Sequence, residues 1–294
     1  MNGPIAWIGD PWSADPGNAA PQGCWGPPAE LSIPLDDRGL LLADGLFETL
    51  RLEGGRALLL EEHLARWRQG AALLGLAAPP PRPRLEVLIA EAVARSGSGA
   101  GALRLNVSRG GAGRGLDPPA AGSARPAGST ARFWLTFSPG PARFTPVRLV
   151  LSRLECRNAT SLLSRCKTFA YAGSIQARRE AHARGAHDAL LASSAGGLCC
   201  GTAANLLVRR GGLWLTPPLT SGALPGVMRG RALALGLARE ENLSATDLAA
   251  AKAALLINSL GCRPIRRVEA AELPDLSPRE AEAFWRRLIA TETR

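Results

Sequence analysis

An α+β protein in two halves is what this chain of 294 residues predicts. Three features carry that expectation. Short alternating apolar segments and longer amphipathic ones occur in both halves of the chain. Glycine pairs join neighbouring strand segments as hairpins in each half. A Pro139-Gly140-Pro141 break falls near the middle, at a length that suits about two domains. The boundaries are an N-terminal domain over 1–138, a linker over 139–143 and a larger C-terminal domain over 144–294. No internal repeat is visible.

In order along the chain, residues 1–30 are rich in Gly, Pro and Trp and read as irregular. Leu46, Glu48, Leu50 and Leu52 alternate with Phe47, Thr49 and Arg51, a strand. Gly54-Gly55 then turns it into residues 57–60. Leu64, Trp67, Ala71 and Leu74 fall at helical spacing in a helix over 61–76, ended by Pro79-Pro80-Pro81. A second helix follows near 85–95. Leu103, Leu105 and Val107 alternate with polar neighbours, a half-buried strand. Residues 109–132 read as a long Gly/Ala/Pro-rich loop before a strand over 132–138.

The second half opens with a strand over 147–152. A helix over roughly 169–184 is stopped by Gly185. Strands follow at 188–193, 204–209 and 213–216, the last two joined by Gly211-Gly212. Pro225-Gly226 opens a helix to about Ala238. Ser277-Pro278-Arg279-Glu280 is a capping box that starts a last helix to about Thr291.

Composition narrows the function classes. An apolar content of 46% supports a sizeable core, and no apolar run is long enough for a transmembrane helix. The N-terminus lacks a basic region followed by an apolar stretch, so no secretory signal is expected. Six cysteines without paired metal-ligand spacing read as cytosolic thiols, and no metal site is expected. Cys199 and Cys200 read as small core residues, with a redox pair as the alternative. A cytoplasmic location follows. The net charge of +10 raises a nucleic-acid hypothesis, but the arginines are scattered and lack interleaved aromatics. A field that attracts a small anionic substrate fits better, with no nucleic-acid or membrane partner.

Lys167 is the most informative residue. Of 35 basic residues only Lys167 and Lys252 are lysine. A surface lysine becomes arginine at little cost. A lysine that must form an imine cannot, because guanidinium stays protonated. The only tyrosine, Tyr171, lies four residues on, where one helical turn would put it on the same side. A lysine with a nearby phenol is a plausible site for pyridoxal 5′-phosphate (PLP). An ordinary helix-start cation is the plainer reading.

The segment Asp37-Arg38-Gly39-Leu40-Leu41-Leu42-Ala43-Asp44-Gly45-Leu46-Phe47-Glu48-Thr49 resembles the N-terminal signature of the class IV, or fold-type IV, PLP enzymes. Further matches come in order: Glu62-His63-Leu64-Ala65-Arg66, Ser108-Arg109-Gly110, Lys167 to Tyr171, Gly201-Thr202-Ala203-Ala204-Asn205, Leu224-Pro225-Gly226-Val227-Met228-Arg229 and Asn258-Ser259. The resemblance spans about residues 33 to 290. It implies the two-domain α+β fold of the D-amino-acid aminotransferases, a homodimer, and PLP between the domains. It makes Lys167 the catalytic lysine that joins the cofactor and moves the proton. Tyr171 becomes the partner of the cofactor's phenolic oxygen. Arg66, the backbone of Val227 and Met228, and Ser259 become the phosphate cup. Arg114 falls where relatives bind a substrate carboxylate, and Arg109 and Arg38 are expected to line the same basic site.

One departure bears on the reaction. The family's Glu, five residues before the asparagine of Gly-Thr-Ala-Ala-Asn, is Cys200 here. A thiol is a weak donor and no strong anion. It would leave the pyridine nitrogen less often protonated and the ring a poorer electron sink. Transamination suffers from that. An elimination driven by aromatisation suffers less. The Asn258-Ser259 segment also looks more like that of the lyases. The resemblance therefore implies a 4-amino-4-deoxychorismate lyase forming 4-aminobenzoate and pyruvate for folate biosynthesis. An aminotransferase on branched-chain or D-amino acids is the alternative. A PLP-binding protein with weak or lost catalysis is the reading from another class.

Overall fold

Alternation of side chains along a strand is what builds the first unit. The computed structural model describes residues 3–12, 22–111, 115–117, 131–274 and 276–290. Its backbone divides into two compact units, Met1–Pro141 with Lys167–Phe169, and Ala142–Cys166 with Ala170–Arg294.

In the first unit, β1 (Ile5–Asp10), β2 (Gln22–Gly26), β3 (Gly45–Glu53), β4 (Arg56–Ala57), β5 (Gly101–Ser108) and β6 (Arg132–Pro139) form one sheet in the order β2-β1-β6-β5-β3-β4. The one-turn helix α1 (Arg38–Leu42) precedes β3, while α2 (Leu60–Leu74) and α3 (Arg82–Ser96) lie between β4 and β5. Leu50, Leu52, Leu103, Leu105, Leu135 and Phe137 are fully buried with Leu64 of α2 and Leu85 of α3. Burial of these side chains, each worth roughly 1.5–3 kcal/mol, pins the register, since a one-residue slip would turn every one to the other face. Gly54 and Gly55 both have positive φ, as a two-residue hairpin requires. The segment expected to be irregular contains β1 and β2. Trp7 of β1 is 1% exposed and meets Phe133 at 5.8 Å between ring centroids, so tertiary burial makes a strand of a Gly/Trp-rich stretch.

The second unit holds β7 (Val147–Arg157), α4 (Ala172–Ala183), β8 (Asp188–Ser193), β9 (Leu198–Gly201), β10 (Asn205–Arg210), β11 (Leu213–Thr216), α5 (Val227–Ala234), β12 (Ala238–Glu240), α6 (Ala245–Ala249), β13 (Ala253–Asn258), β14 (Gly261–Val268), β15 (Ala271–Glu272) and α7 (Pro278–Ile289). The strands run β12-β11-β10-β13-β14-β7-β8-β9, with β15 on β14. The single pair Asn205–Cys200 brings β9 back to β10 and closes six of them into a ring. The capping box at Ser277 and Glu280 forms as its sequence predicts.

Two differences from expectation concern Lys167. The helix starts at Ala172, with Tyr171 as its N-cap, so Lys167 and Tyr171 are not one helical turn apart. Residues 167–169 instead run extended beside β3. Phe47 N–H donates to the Lys167 carbonyl at 2.9 Å, and Phe169 N–H donates to that of Gly45 at 3.2 Å. The three residues thus group with the first unit, not with the C-terminal half where the lysine was expected. Among the described residues, no helix is long and apolar enough to cross a membrane.

Candidate active site

The extended backbone of residues 167–169 carries the Lys167 side chain to Phe47, with Nζ 4.3 Å from the ring centroid. Gly45 makes this approach possible, because a Cβ there would lie 2.2 Å from the Phe169 ring. Lys167 lines a small cleft with Leu46, Phe47, Glu48, Arg66, Trp67 and Gly70. The guanidinium of Arg104, on β5, lies 3.5 Å from the same Phe47 ring and donates to Asn106 Oδ1 at 2.7 Å. A cation–π contact of this kind orients a guanidinium that the sequence placed merely on a strand's polar side.

Arg66 is not the solvated helix cation its position on α2 suggests. Its side chain is 9% exposed, and it donates from Nε to Glu48 Oε1 at 2.9 Å and from Nη2 to Oε2 at 2.5 Å. His63, one helical turn earlier, meets the same carboxylate through Nδ1 at 2.7 Å. Burial alone would raise the Glu48 carboxyl. The Arg66 charge and its hydrogen bonds, with that of His63, hold it down at about 2 instead. Burial also lowers His63, against the pull of Glu48, so His63 is a neutral donor at physiological pH. Glu48 therefore fixes the plane of the Arg66 guanidinium beside the lysine.

Glu48 and His63 were passed over as functional residues, though their signal is in the sequence. Glu48 shares a face with Leu46, Leu50 and Leu52, and His63 falls among the buried positions of α2. A carboxylate on an apolar face needs partners, because an unpaired buried charge is too costly.

Arg38 and Arg109, expected at the substrate, hold structure together. Arg109 donates to both oxygens of Asp44, at 2.7 and 3.1 Å, and to the carbonyls of Leu74 and Gly75 that end α2. Arg38, 5% exposed, donates to Asp44 at 2.9 Å and to the carbonyls of Gly115 and Leu116 at 3.0 Å each. The Leu74 and Gly75 carbonyls end α2 and have no further turn of helix to pair with, and the arginine donors meet them there. Arg114 lies outside the described residues.

In the second unit, Asn205 organises the other expected positions. It pairs with Cys200 on β9 and with Ile257 on β13, and its Nδ2 donates to the Leu224 carbonyl at 3.0 Å. A Cβ on Gly226 would lie 1.9 Å from Asn205 Oδ1, so any larger residue would force the Asn205 side chain to move. Gly226 starts α5 without a side-chain cap, so the first amides of that helix, at Val227 and Met228, suit an anion. Asn258 Nδ2 donates to the Ala203 carbonyl at 3.1 Å, and half-buried Ser259 begins the two-residue turn between β13 and β14. Tyr171 is half-buried. Cys200, 7% exposed, is held neutral: the hydrogen bond to Cys199 and burial both push its thiol well up.

The sequence profile of the family described as amino-transferase class IV matches residues 45–268. A candidate branched-chain-amino-acid aminotransferase of Methanocaldococcus jannaschii is 26% identical over 219 residues, 74% of this chain and 73% of that protein. A bifunctional aminodeoxychorismate lyase and D-amino acid transaminase of Mycobacterium tuberculosis is 30% identical over 202 residues, 62% of this chain and 65% of that protein. The crystal structure of 4-amino-4-deoxychorismate lyase from Pseudomonas aeruginosa matches with a TM-score of 0.72 at 30% identity, covering 87% of this chain and 95% of that one.

Proposed function

The chain belongs to the class IV aminotransferase family, whose members are in general PLP-dependent enzymes of fold type IV, and from that premise we propose that it is a 4-amino-4-deoxychorismate lyase. The products are 4-aminobenzoate and pyruvate. The observation that carries this reading over transamination is Cys200, a buried neutral thiol where the family's acid is expected. The 30% identity to a lyase of known structure supports it.

The residues fit the cofactor. A Cβ on Gly226 would press on the Asn205 side chain, and α5 offers uncapped amides at Val227 and Met228 for a phosphate; Arg66 and Ser259 are the further phosphate residues that the resemblance implies. Tyr171 would hold the phenolic oxygen. When bound, PLP supplies an electron sink for the bond broken next to the substrate amine.

The chain's own part is proton handling and placement. Lys167 Nζ is the amine that would hold the cofactor, and once free it would serve as the base that takes the ring proton. Glu48 holds Arg66 still, so the phosphate anchor and the lysine keep one geometry. Loss of enolpyruvate leaves an aromatic ring, and aromatisation drives the step that a neutral Cys200 assists little. The substrate is dianionic, and Arg114 is the cation proposed for it. The enzyme is proposed to act as a cytoplasmic homodimer.

The test uses purified protein with PLP and enzymatically generated 4-amino-4-deoxychorismate, wild type beside Lys167→Ala. A visible band that depends on Lys167, with 4-aminobenzoate and pyruvate formed, supports the lyase. The band without those products overturns it. The second reading, an aminotransferase, is favoured by the match to the M. jannaschii protein and would appear as turnover of keto acids that requires an amino donor.

A further inference from the structure

Cys199 and Cys200 are neighbours on β9, and in an unbroken strand neighbouring side chains point to opposite faces. The register of β8 and β9 breaks that alternation. Leu191 pairs with Cys200, yet Ala192 pairs with Leu198, which leaves Cys199 as an extra residue in a bulge. The result is visible in the core. Leu198 joins one apolar cluster, with Leu149 and Leu190. Cys199 and Cys200 both join the other, with Leu191 and with Ala177 and Ala181 of α4. Without the bulge, Cys200 would face the same way as Leu198.

Two thiols on successive residues therefore share a face. Ser221 Oγ lies 3.5 Å from Cys199 Sγ. The Cys200 thiol, Ser221 and the charges of Arg157 and Arg229 draw the Cys199 thiol down, against burial, which raises it. Arg157 is held in place by donating from Nε to the carbonyl of Gly222, next to Ser221, at 3.1 Å. Cys199 is the sulfur that loses its proton more readily, and Cys200 is the one that keeps it. A second sulfur on the same backbone turns a weak single contact into a chelate, because it acts at high effective concentration.

We propose that Cys199 and Cys200 form a two-thiol chelating site for a trivalent arsenical, and that its occupation excludes PLP. The Cys199 sulfur attacks arsenic in an arsenoxide, R–As=O, and the Cys200 sulfur follows. Two As–S bonds form, the As=O bond breaks, and the oxygen leaves as water with the two thiol protons. Arsenic stays trivalent, so no oxidant or reductant is needed. Both thiols are buried, and entry requires β9 to open. That strand has four residues, pairs with β8 out of step at the bulge, and meets β10 at the one pair Asn205–Cys200. The exclusion of PLP rests on the reading that Cys200 stands beside the cofactor ring. The chelate itself does not.

Phenylarsine oxide is the probe, read by intact mass on native holoenzyme and on the same enzyme after PLP removal. The PLP-free chain should gain one phenylarsenic group with loss of one water. That adduct should survive excess monothiol and be reversed by a dithiol. It should be lost in Cys199→Ser and in Cys200→Ser, and kept in Cys24→Ser and Cys156→Ser, which remove the exposed thiols. Cys199→Ala and Cys200→Ala serve if serine disturbs the apolar cluster, with circular dichroism confirming the fold. No monothiol-resistant adduct on the native chain, or one that persists without Cys199 or Cys200, overturns the chelate. Saturating PLP should slow the reaction at least about tenfold. Equal rates with and without PLP would leave the chelate standing and overturn the placement of Cys200 at the cofactor.

Discussion

Replacing Glu48 with Gln keeps the shape of the side chain and removes the charge that Arg66 and His63 share. The carboxyl sits at about 2 against an ordinary value of 4.5. At about 1.4 kcal/mol per unit this is worth roughly 3 kcal/mol of stability at neutral pH. The same scale, about 3–5 kcal/mol, is expected when one partner of a buried ion pair is deleted and the other is stranded. For a domain of this size the melting temperature should fall by roughly 6–12 °C. The sign with pH is definite. The folded carboxyl is depressed, so its contribution is complete above 4.5 and is lost as pH falls toward about 2. His63 is depressed as well, so its neutral form also stabilises at higher pH and charges at a cost on acidification. The assay is thermal unfolding of wild type and Glu48→Gln from about pH 7 down to about pH 3. The gap between them should be widest near neutrality and shrink on acidification. A loss below about 1 kcal/mol at neutral pH, the scale of an exposed ion pair, would refute the buried-triad reasoning. So would a gap that stays constant with pH.

Three other outcomes follow from particular contacts. Cys200→Glu should raise amino-donor-dependent turnover of keto acids by about tenfold or more, the scale of one hydrogen bond to a charged group; steady-state rates with and without a donor check it. Gly226→Ala places a Cβ 1.9 Å from Asn205 Oδ1, so Asn205 must move and the start of α5 with it. PLP affinity, followed by absorbance titration, should weaken by about tenfold, a cost of about 1.4 kcal/mol, while the melting temperature of the PLP-free chain falls far less. Ser277→Ala removes the capping box of α7 and should cost about 1 kcal/mol in a urea melt, with PLP binding unchanged.

Much of this protein was legible in residue order because the interactions concerned are local. The alternation along β3 and β5, the helical spacing of α2, the glycine turns at 54–55 and 211–212 and the capping box at Ser277 depend on a few neighbouring residues. The rarity of lysine and the ordered motifs single out Lys167, Arg66, Cys200 and the Gly226 turn in the sequence itself. Burial and long-range pairing decided the rest. β1 and β2 are strands because Trp7 meets Phe133, a partner 126 positions away in the chain. Lys167 is extended rather than helical because its backbone hydrogen-bonds to β3. Arg38 and Arg109 meet Asp44 and loop carbonyls because folding brings Asp44 and the end of α2 beside them. Glu48 becomes the partner of both His63 and Arg66 only when α2 folds over β3. Cys199 and Cys200 turn to one face only because β8 and β9 pair out of step. A side chain's type is written in the sequence. Its charge state, direction and partner depend on which distant segment excludes water from it.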